Sequence, residues 1–298
     1  MPIKRHQWGS HTRQYIEELK INPQSKDAVI TIHGGGWVSH QEAAKDYFEM
    51  SNTVDFDANF FGVDYRLSAS SFEGYVLPDP IDSYVKAPYH LLDILHGIEF
   101  IFDNYEIERV HLIGHSVGGC TALQIQDFAS LIPHGLQQLV KHGVITESEE
   151  KKQLKFVEET LKKWSKVELL NVIYLSGVYD FPLALSKVAS LGPPKGILDN
   201  YIYINDAFVS EEHYTQGCTI TSTILNPPLD TLKAKGKHVI IHSFEDEFVE
   251  SFQPLGLANF FYKLNVPVEV YIDDFDLHHK ILLNGKAFKI IERILNDH

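Results

Sequence analysis

The sequence predicts one α/β domain, a mostly parallel sheet with helices on both faces and a helical cap insertion. Three observations carry this. Short β-branched or apolar runs alternate with longer amphipathic stretches along the chain, as in strands joined by right-handed helical crossovers. Two glycine-rich segments, His33-Gly34-Gly35-Gly36-Trp37 and Gly114-His115-Ser116-Val117-Gly118, each follow directly on such a run. Ligands bind at such places in open parallel sheets, beyond the carboxyl ends of the strands. With 298 residues, 44% hydrophobic and 22% charged, the chain is long enough to bury one large core.

In order, the first 27 residues are polar, and Thr12 to Lys20 reads as either a strand or a helical turn. Ala28 to Ile32 is β-branched and reads as a buried parallel strand that ends in the triple glycine. Glu42 to Val54 has helical spacing, and Asn59 to Tyr65 is a second buried strand that runs into Asp64-Tyr65-Arg66-Leu67. After a loop from Ser68 to Asp82, Pro88 opens a helix to about Asn104, with Leu91, Leu92, Leu95, Ile98 and Ile101 on one face. Asp93 on that helix reads as structural.

Val110 to Ile113 is the strand that enters the second glycine segment, and Cys120 to Phe128 is the helix that leaves it. Two helical patterns follow, Leu136 to His142 and Glu147 to Lys166, the second with Leu154, Val157, Leu161 and Trp164 along one face of an otherwise charged helix. Asn171 to Ser176 returns to the sheet. Phe181 to Pro228 reads as irregular, broken by Gly192, Pro193, Pro194, Pro227 and Pro228. The cap is expected at about residues 130–168 and 191–230. His238 to His242, Ser251 to Leu264, Pro267 to Ile272 and Leu282 to Leu295 complete the alternation as strand, helix, strand and helix.

Gly-x-Ser-x-Gly between a strand and a helix is the sequence of a nucleophile elbow, a turn so tight that small residues must flank a serine whose hydroxyl is pushed outward. The following helix aims free N–H groups and its positive dipole end at that hydroxyl. Ser116 is the candidate nucleophile. The three glycines after the preceding strand let backbone N–H groups face a substrate, so Gly35, Gly36 and Val117 are the candidate oxyanion-hole donors. Each such donor is worth ~10²-fold or more in rate. A carboxylate after one late strand and a histidine after the next complete the order Ser, Asp, His of the α/β-hydrolase arrangement. Asp246 is best placed; Glu245 and Glu247 flank it, and Asp180, after an earlier strand, also competes. His278 and His279 are adjacent, and the residues alone do not choose between them.

A net charge of −14 argues against phosphate-backbone binding, so nucleic acid is not an expected partner. No apolar run approaches the ~18–20 residues of a membrane span, and the N-terminus lacks the apolar core of a signal peptide. The expected compartment is the cytosol. Cys120 and Cys218 are the two cysteines, without metal-site spacing, and the sixteen histidines show no H-E-x-x-H pattern. Neither a metal nor a cofactor is expected.

Taken together, the H-G-G-G-W loop, the elbow from Gly114 to Gly119, Leu175 to Asp180, His242 to Glu247 and Asp274 to Asn284 resemble the fungal kynurenine formamidases, or arylformamidases. The family's closing Leu-His pair falls on Leu277 and His278, and the resemblance thereby selects His278 as the base, with His279 turned to solvent or to the first turn of the terminal helix. It implies an α/β-hydrolase that converts N-formyl-L-kynurenine to L-kynurenine and formate, without metal or cofactor. It also implies an apolar aromatic wall for the aryl group, for which Trp37 and Tyr179 are the candidates. The expected partner is this small-molecule substrate, with no nucleic acid, no membrane, and room for a homodimer. The alternative is a carboxylesterase of the hormone-sensitive-lipase type acting on short-chain esters, which shares the glycine loop, the elbow and Asp64 to Leu67.

Overall fold

The computed structural model describes residues 3–72, 76–191, 197–224 and 236–297. Its centre is an eight-stranded sheet in the order β1-β2-β4-β3-β5-β6-β7-β8. The strands are β1 (Lys4–Gln7), β2 (Tyr15–Lys20), β3 (Asp27–Ile32), β4 (Asn59–Val63), β5 (Arg109–His115), β6 (Glu168–Leu175), β7 (His238–Ser243) and β8 (Val268–Asp273). β1 and β2 pair antiparallel, β2 pairs antiparallel with β4, and every later pairing is parallel. Of the segment Thr12 to Lys20, Thr12 and Arg13 belong to a turn, and Tyr15 to Lys20 after it is a strand. Its hairpin with β1 escapes a periodicity argument because β1 is short, exposed and polar at an edge.

The central strands alternate their apolar residues between two cores. Ile30, Leu112, Val172 and Ile240 face one side, and Val29, Ile113, Ile173 and Val239 face the other, as the two-residue period of a strand requires. α1 (Phe48–Thr53), preceded by a 3-10 turn over Ala44–Tyr47, and α10 (Gly285–Asn296) cover the second side. α10 buries Ala287, Phe288, Ile291, Ile294 and Leu295, a stripe at helical spacing. The first side is covered by α2 (Tyr89–Asn104), α3 (Val117–Gln124), α4 (Phe128–Lys141) and α5 (Glu147–Trp164). Thr146 caps α5 through its side chain, with acids in the first turn and Lys162 and Lys163 in the last, which complements the helix dipole.

One expectation is corrected. Residues after Phe181 are not irregular: they form α6 (Phe181–Leu191), α7 (Ile197–Ala207) and α8 (Glu211–Gly217). These are short helices whose burial depends on packing rather than on a long amphipathic stripe, so the breakers on either side are the stronger local signal. Parts of the second expected cap insertion, at 192–196 and 225–230, lie outside the described residues. α9 (Phe252–Lys263) then connects β7 to β8.

Candidate active site

β3 and β5 are adjacent and parallel with Ile32 opposite Gly114, so the two glycine segments leave the sheet side by side. Ser116 stands between β5 and α3 at φ 55° and ψ −125°, the left-handed region that an L-residue enters at a cost of about 1–3 kcal/mol. Glycine at 114 and 118 is what makes the turn possible. A Cβ on Gly114 would lie 2.1 Å from the Gly118 carbonyl oxygen, and one on Gly118 would lie 2.2 Å from that of Ile32. Beside it, Gly35 and Gly36 have φ of 89° and 60°, which folds the loop so that both glycines line a cavity with Ser116.

The glycine loop is held from beneath by residues of the Asp64-Tyr65 stretch. The Tyr65 hydroxyl donates to the carbonyls of His33 and Gly34 at 3.0 and 3.1 Å, and its ring stacks on His33 at 4.3 Å. Asp64 accepts from the Tyr15 hydroxyl at 2.6 Å and pairs with Arg13 at 2.8 Å. Burial works to raise the Asp64 carboxyl, but His33, Arg13 and the Tyr15 hydrogen bond outweigh it and hold the group below its usual range. Asp93 pairs bidentately with Arg66 at 2.8 Å, a structural role.

On the other side of the cavity, the loops after β7 and β8 bring an acid and a base together. Asp246 Oδ1 accepts the N–H groups of Phe248 and Val249 at 2.9 and 2.8 Å, and Oδ2 accepts from His278 Nδ1 at 2.8 Å. Burial opposes this carboxylate; the His278 hydrogen bond and charge, with the two backbone donors, still hold it below the usual carboxylate range. The competing acids are otherwise engaged. Glu247 accepts the backbone N–H of His278 at 2.8 Å, Asp180 accepts the N–H of Leu183 at the start of α6, and Glu245 is exposed. An imidazole oriented at Nδ1 by a buried carboxylate presents Nε2 to take a proton from a neighbouring hydroxyl.

His115, the variable residue of the elbow, is fully buried, and its Nε2–H donates to the His278 carbonyl at 3.0 Å. Burial, reinforced by the charges of His278 and His279, pushes its imidazole well below the usual range. It is a neutral strut between the elbow and the loop that carries His278.

The cavity at Ser116 has a volume of about 170 Å³ and is lined by Gly35, Gly36, Val38, Glu42, Ser116, Tyr203, Phe248, Val249, His278 and His279. Two expectations are corrected here. Trp37 is 2% exposed and packs against His90, Phe181, Tyr203 and Phe208. Tyr179 is 1% exposed, with its ring against Tyr174 and its hydroxyl over Gly177. Both are core residues, and the aromatic lining comes instead from Tyr203 on α7 and from Phe248. The sequence carried no signal for Tyr203, because its helix was itself missed; Phe248 stands two residues after Asp246. His279 is exposed to solvent, as expected, and it also borders the cavity. Lys280 N–H bonds the Leu277 carbonyl at 2.8 Å, so the chain turns rather than extends, both imidazoles line the cavity, and their centroids are 5.0 Å apart. Among the described residues, no group of three or more His, Cys, Asp or Glu side chains converges to hold a metal ion, and no helix is long and apolar enough to cross a membrane.

The fold is that of the α/β-hydrolases. The chain belongs to the PGAP1-like alpha/beta domain family, whose pattern it matches over residues 25–227; Asp246 and His278 lie beyond that span. Over nearly its whole length it is similar to proteins named kynurenine formamidase. That of Meyerozyma guilliermondii is 26% identical, covering 95% of this chain and 90% of the relative. That of Debaryomyces hansenii is 23% identical, with coverages of 95% and 96%, and that of Saccharomyces cerevisiae 21%, with 91% and 90%. Among solved structures, esterase B of Lactobacillus rhamnosis superposes with a TM-score of 0.64 at 15% identity, covering 99% of this chain and 84% of that one. A truncated carbohydrate esterase from gut microbiota gives 0.59 at 16% identity, with coverages of 98% and 94%; both report on the fold.

Proposed function

We propose that this protein hydrolyses N-formyl-L-kynurenine to L-kynurenine and formate through Ser116, His278 and Asp246. The observation that carries the reading is the 2.8 Å His278–Asp246 pair at one cavity with a strained elbow serine and a positive-φ glycine loop. The similarity to formamidases over most of both chains supports the substrate.

Ser116 Oγ attacks the formyl carbon while His278 takes its proton, and the oxyanion that forms lies against the N–H groups of Gly35, Gly36 and Val117. Collapse of the intermediate breaks the C–N bond, and His278 returns the proton to the departing aryl amine. A water, deprotonated by the same imidazole, then clears the formyl group as formate. Asp246 keeps Nδ1 of His278 protonated and stabilises the imidazolium. The acyl side needs room for one hydrogen only, and the aryl ring packs on Tyr203 and Phe248. α6, α7 and α8 serve as the cap, with Tyr203 over the glycine loop. Both cysteines are buried and unpaired, which fits a reducing compartment such as the cytosol.

The test is release of free kynurenine by the purified protein, compared with hydrolysis of 4-nitrophenyl butyrate. Turnover of the formamide with weak action on the butyrate is expected. An efficient butyrate esterase that leaves N-formylkynurenine intact would replace this reading with the short-chain esterase.

A further inference from the structure

Among the residues around the cavity, Glu42 has no part in the chemistry proposed above. Its side chain is 15% exposed and opens on the same cavity as Ser116. Oε1 lies 3.6 Å from His279 Nε2. Oε2 is sealed from solvent and has no hydrogen-bond partner, and it lies close over Gly35, where a Cβ would meet it at 2.9 Å. The nearby cation does not neutralise it: the Arg13 guanidinium bonds the backbone carbonyl of Glu42 at 2.7 Å and pairs with the Asp64 carboxylate. Among the described residues, no lysine or arginine lines the cavity.

A carboxylate oxygen kept from water without a donor is costly unless a ligand supplies one. We propose that Glu42 is the subsite for the α-ammonium group of the substrate, so that the enzyme selects N-formyl anilines carrying a free amino group. This rests on the formamidase reading and adds to it the residue that recognises the amino-acid end. His279 approaches Oε1 only to 3.6 Å, beyond hydrogen-bond distance, so the carboxylate keeps acceptor capacity for a ligand on the cavity side. Burial and the charge of His278 push the His279 imidazole down. A primary ammonium has three donors and bonds a carboxylate with charge assistance, which a neutral group of the same size lacks.

Two measurements test this, with Glu42→Gln, which keeps the shape and removes the charge. First, kcat and KM are determined for N-formyl-L-kynurenine and for its deaminated analogue, 4-(2-formamidophenyl)-4-oxobutanoate. The preference of the wild type for the amino compound should fall about tenfold to a hundredfold in the variant, the size of one charge-assisted hydrogen bond, mostly in KM, with Glu42→Asp recovering part of it. Second, calorimetry should show L-kynurenine binding weakened by the same factor, while the deaminated product changes less than about threefold. Equal losses on both compounds, or a wild type with no preference for the amino group, would overturn the subsite while leaving formamide turnover to stand. Failure of the wild type to release kynurenine would overturn the formamidase reading, and the binding comparison would still decide Glu42.

Discussion

Ser116, His278 and His279 share one cavity, yet they should respond very differently to truncation. In the proposed mechanism, Ser116→Ala removes the attacking oxygen and His278→Ala the base that activates it. Because such residues act as a unit, each should lower kcat for N-formylkynurenine by several orders of magnitude, and the double variant little further. Asp246→Asn should also fall far, since an amide presents the wrong partner to Nδ1. His279→Ala should cost less than about tenfold in kcat, because no carboxylate within 3 Å orients its ring and the loss falls on the neighbourhood of Glu42. Single-turnover rates for the five variants check the order. If His279→Ala were the severe one, the assignment of the base would be off by one residue. The choice of acid was open among four carboxylates in the sequence. What separates them is partner geometry: Asp246 alone accepts from an imidazole, at 2.8 Å, while Glu247 and Asp180 are used by backbone N–H groups.

The elbow was legible as an element because its geometry constrains its composition. A strand, a serine in the left-handed region and a helix start cannot follow one another unless the residues where chains cross are glycine. The same glycines are not equally strict. Gly118→Ala would place a methyl 2.2 Å from the Ile32 carbonyl, backbone that cannot step aside, whereas Gly119→Ala would meet the Tyr179 hydroxyl at 3.1 Å. Gly118→Ala should therefore destabilise by more than about 3 kcal/mol or fail to fold, and Gly119→Ala by about 1 kcal/mol or less. Urea unfolding midpoints compare them; equal losses would show that the crossing at 118 is looser than its contacts indicate. Helix α7 is the contrary case. Its sequence lies between breakers and has no long stripe, and its Tyr203 is placed by contacts with Trp37 and with Gly36 of the glycine loop. Tyr203, against Gly36, could not be found without that packing.

At the scale of the whole molecule, buried neutral histidines tie stability to pH. Burial first, with Arg66 and Lys86 adding to it, pushes His90 down to about 3; burial, with His134 and His142, does the same for His213, also to about 3. In the unfolded chain these imidazoles take up protons near the ordinary value of about 6.5, while the folded chain refuses them. Between those limits the unfolded state binds more protons, so stability is complete above about pH 6.5 and is lost as pH falls toward 3, each histidine contributing a slope of up to about 1.4 kcal/mol per pH unit. Urea unfolding at pH 7, 6, 5.5 and 5 should show the decline, and His90→Asn should make it shallower. An unchanged slope in the variant would mean that His90 is protonated in the folded protein.

Local sequence determined a good deal: the parallel strands β3 to β8, the helix α2, the elbow at Ser116 and the glycine loop at Gly35 and Gly36. Each is a matter of period or of steric exclusion, which operates between neighbours in the chain. Other features depended on which strands lie side by side and where loops turn. Only the tertiary structure placed Asp64 and Tyr65 beneath the glycine loop, sent Trp37 and Tyr179 into the core, and brought Tyr203 and Glu42 to the cavity. Glu42 is 74 residues from Ser116 and His278 a further 162, and no pattern in the intervening residues says that their side chains meet. That meeting follows from the order β3-β5-β6-β7-β8, which carries the loops at the carboxyl ends of these strands to one edge of the sheet.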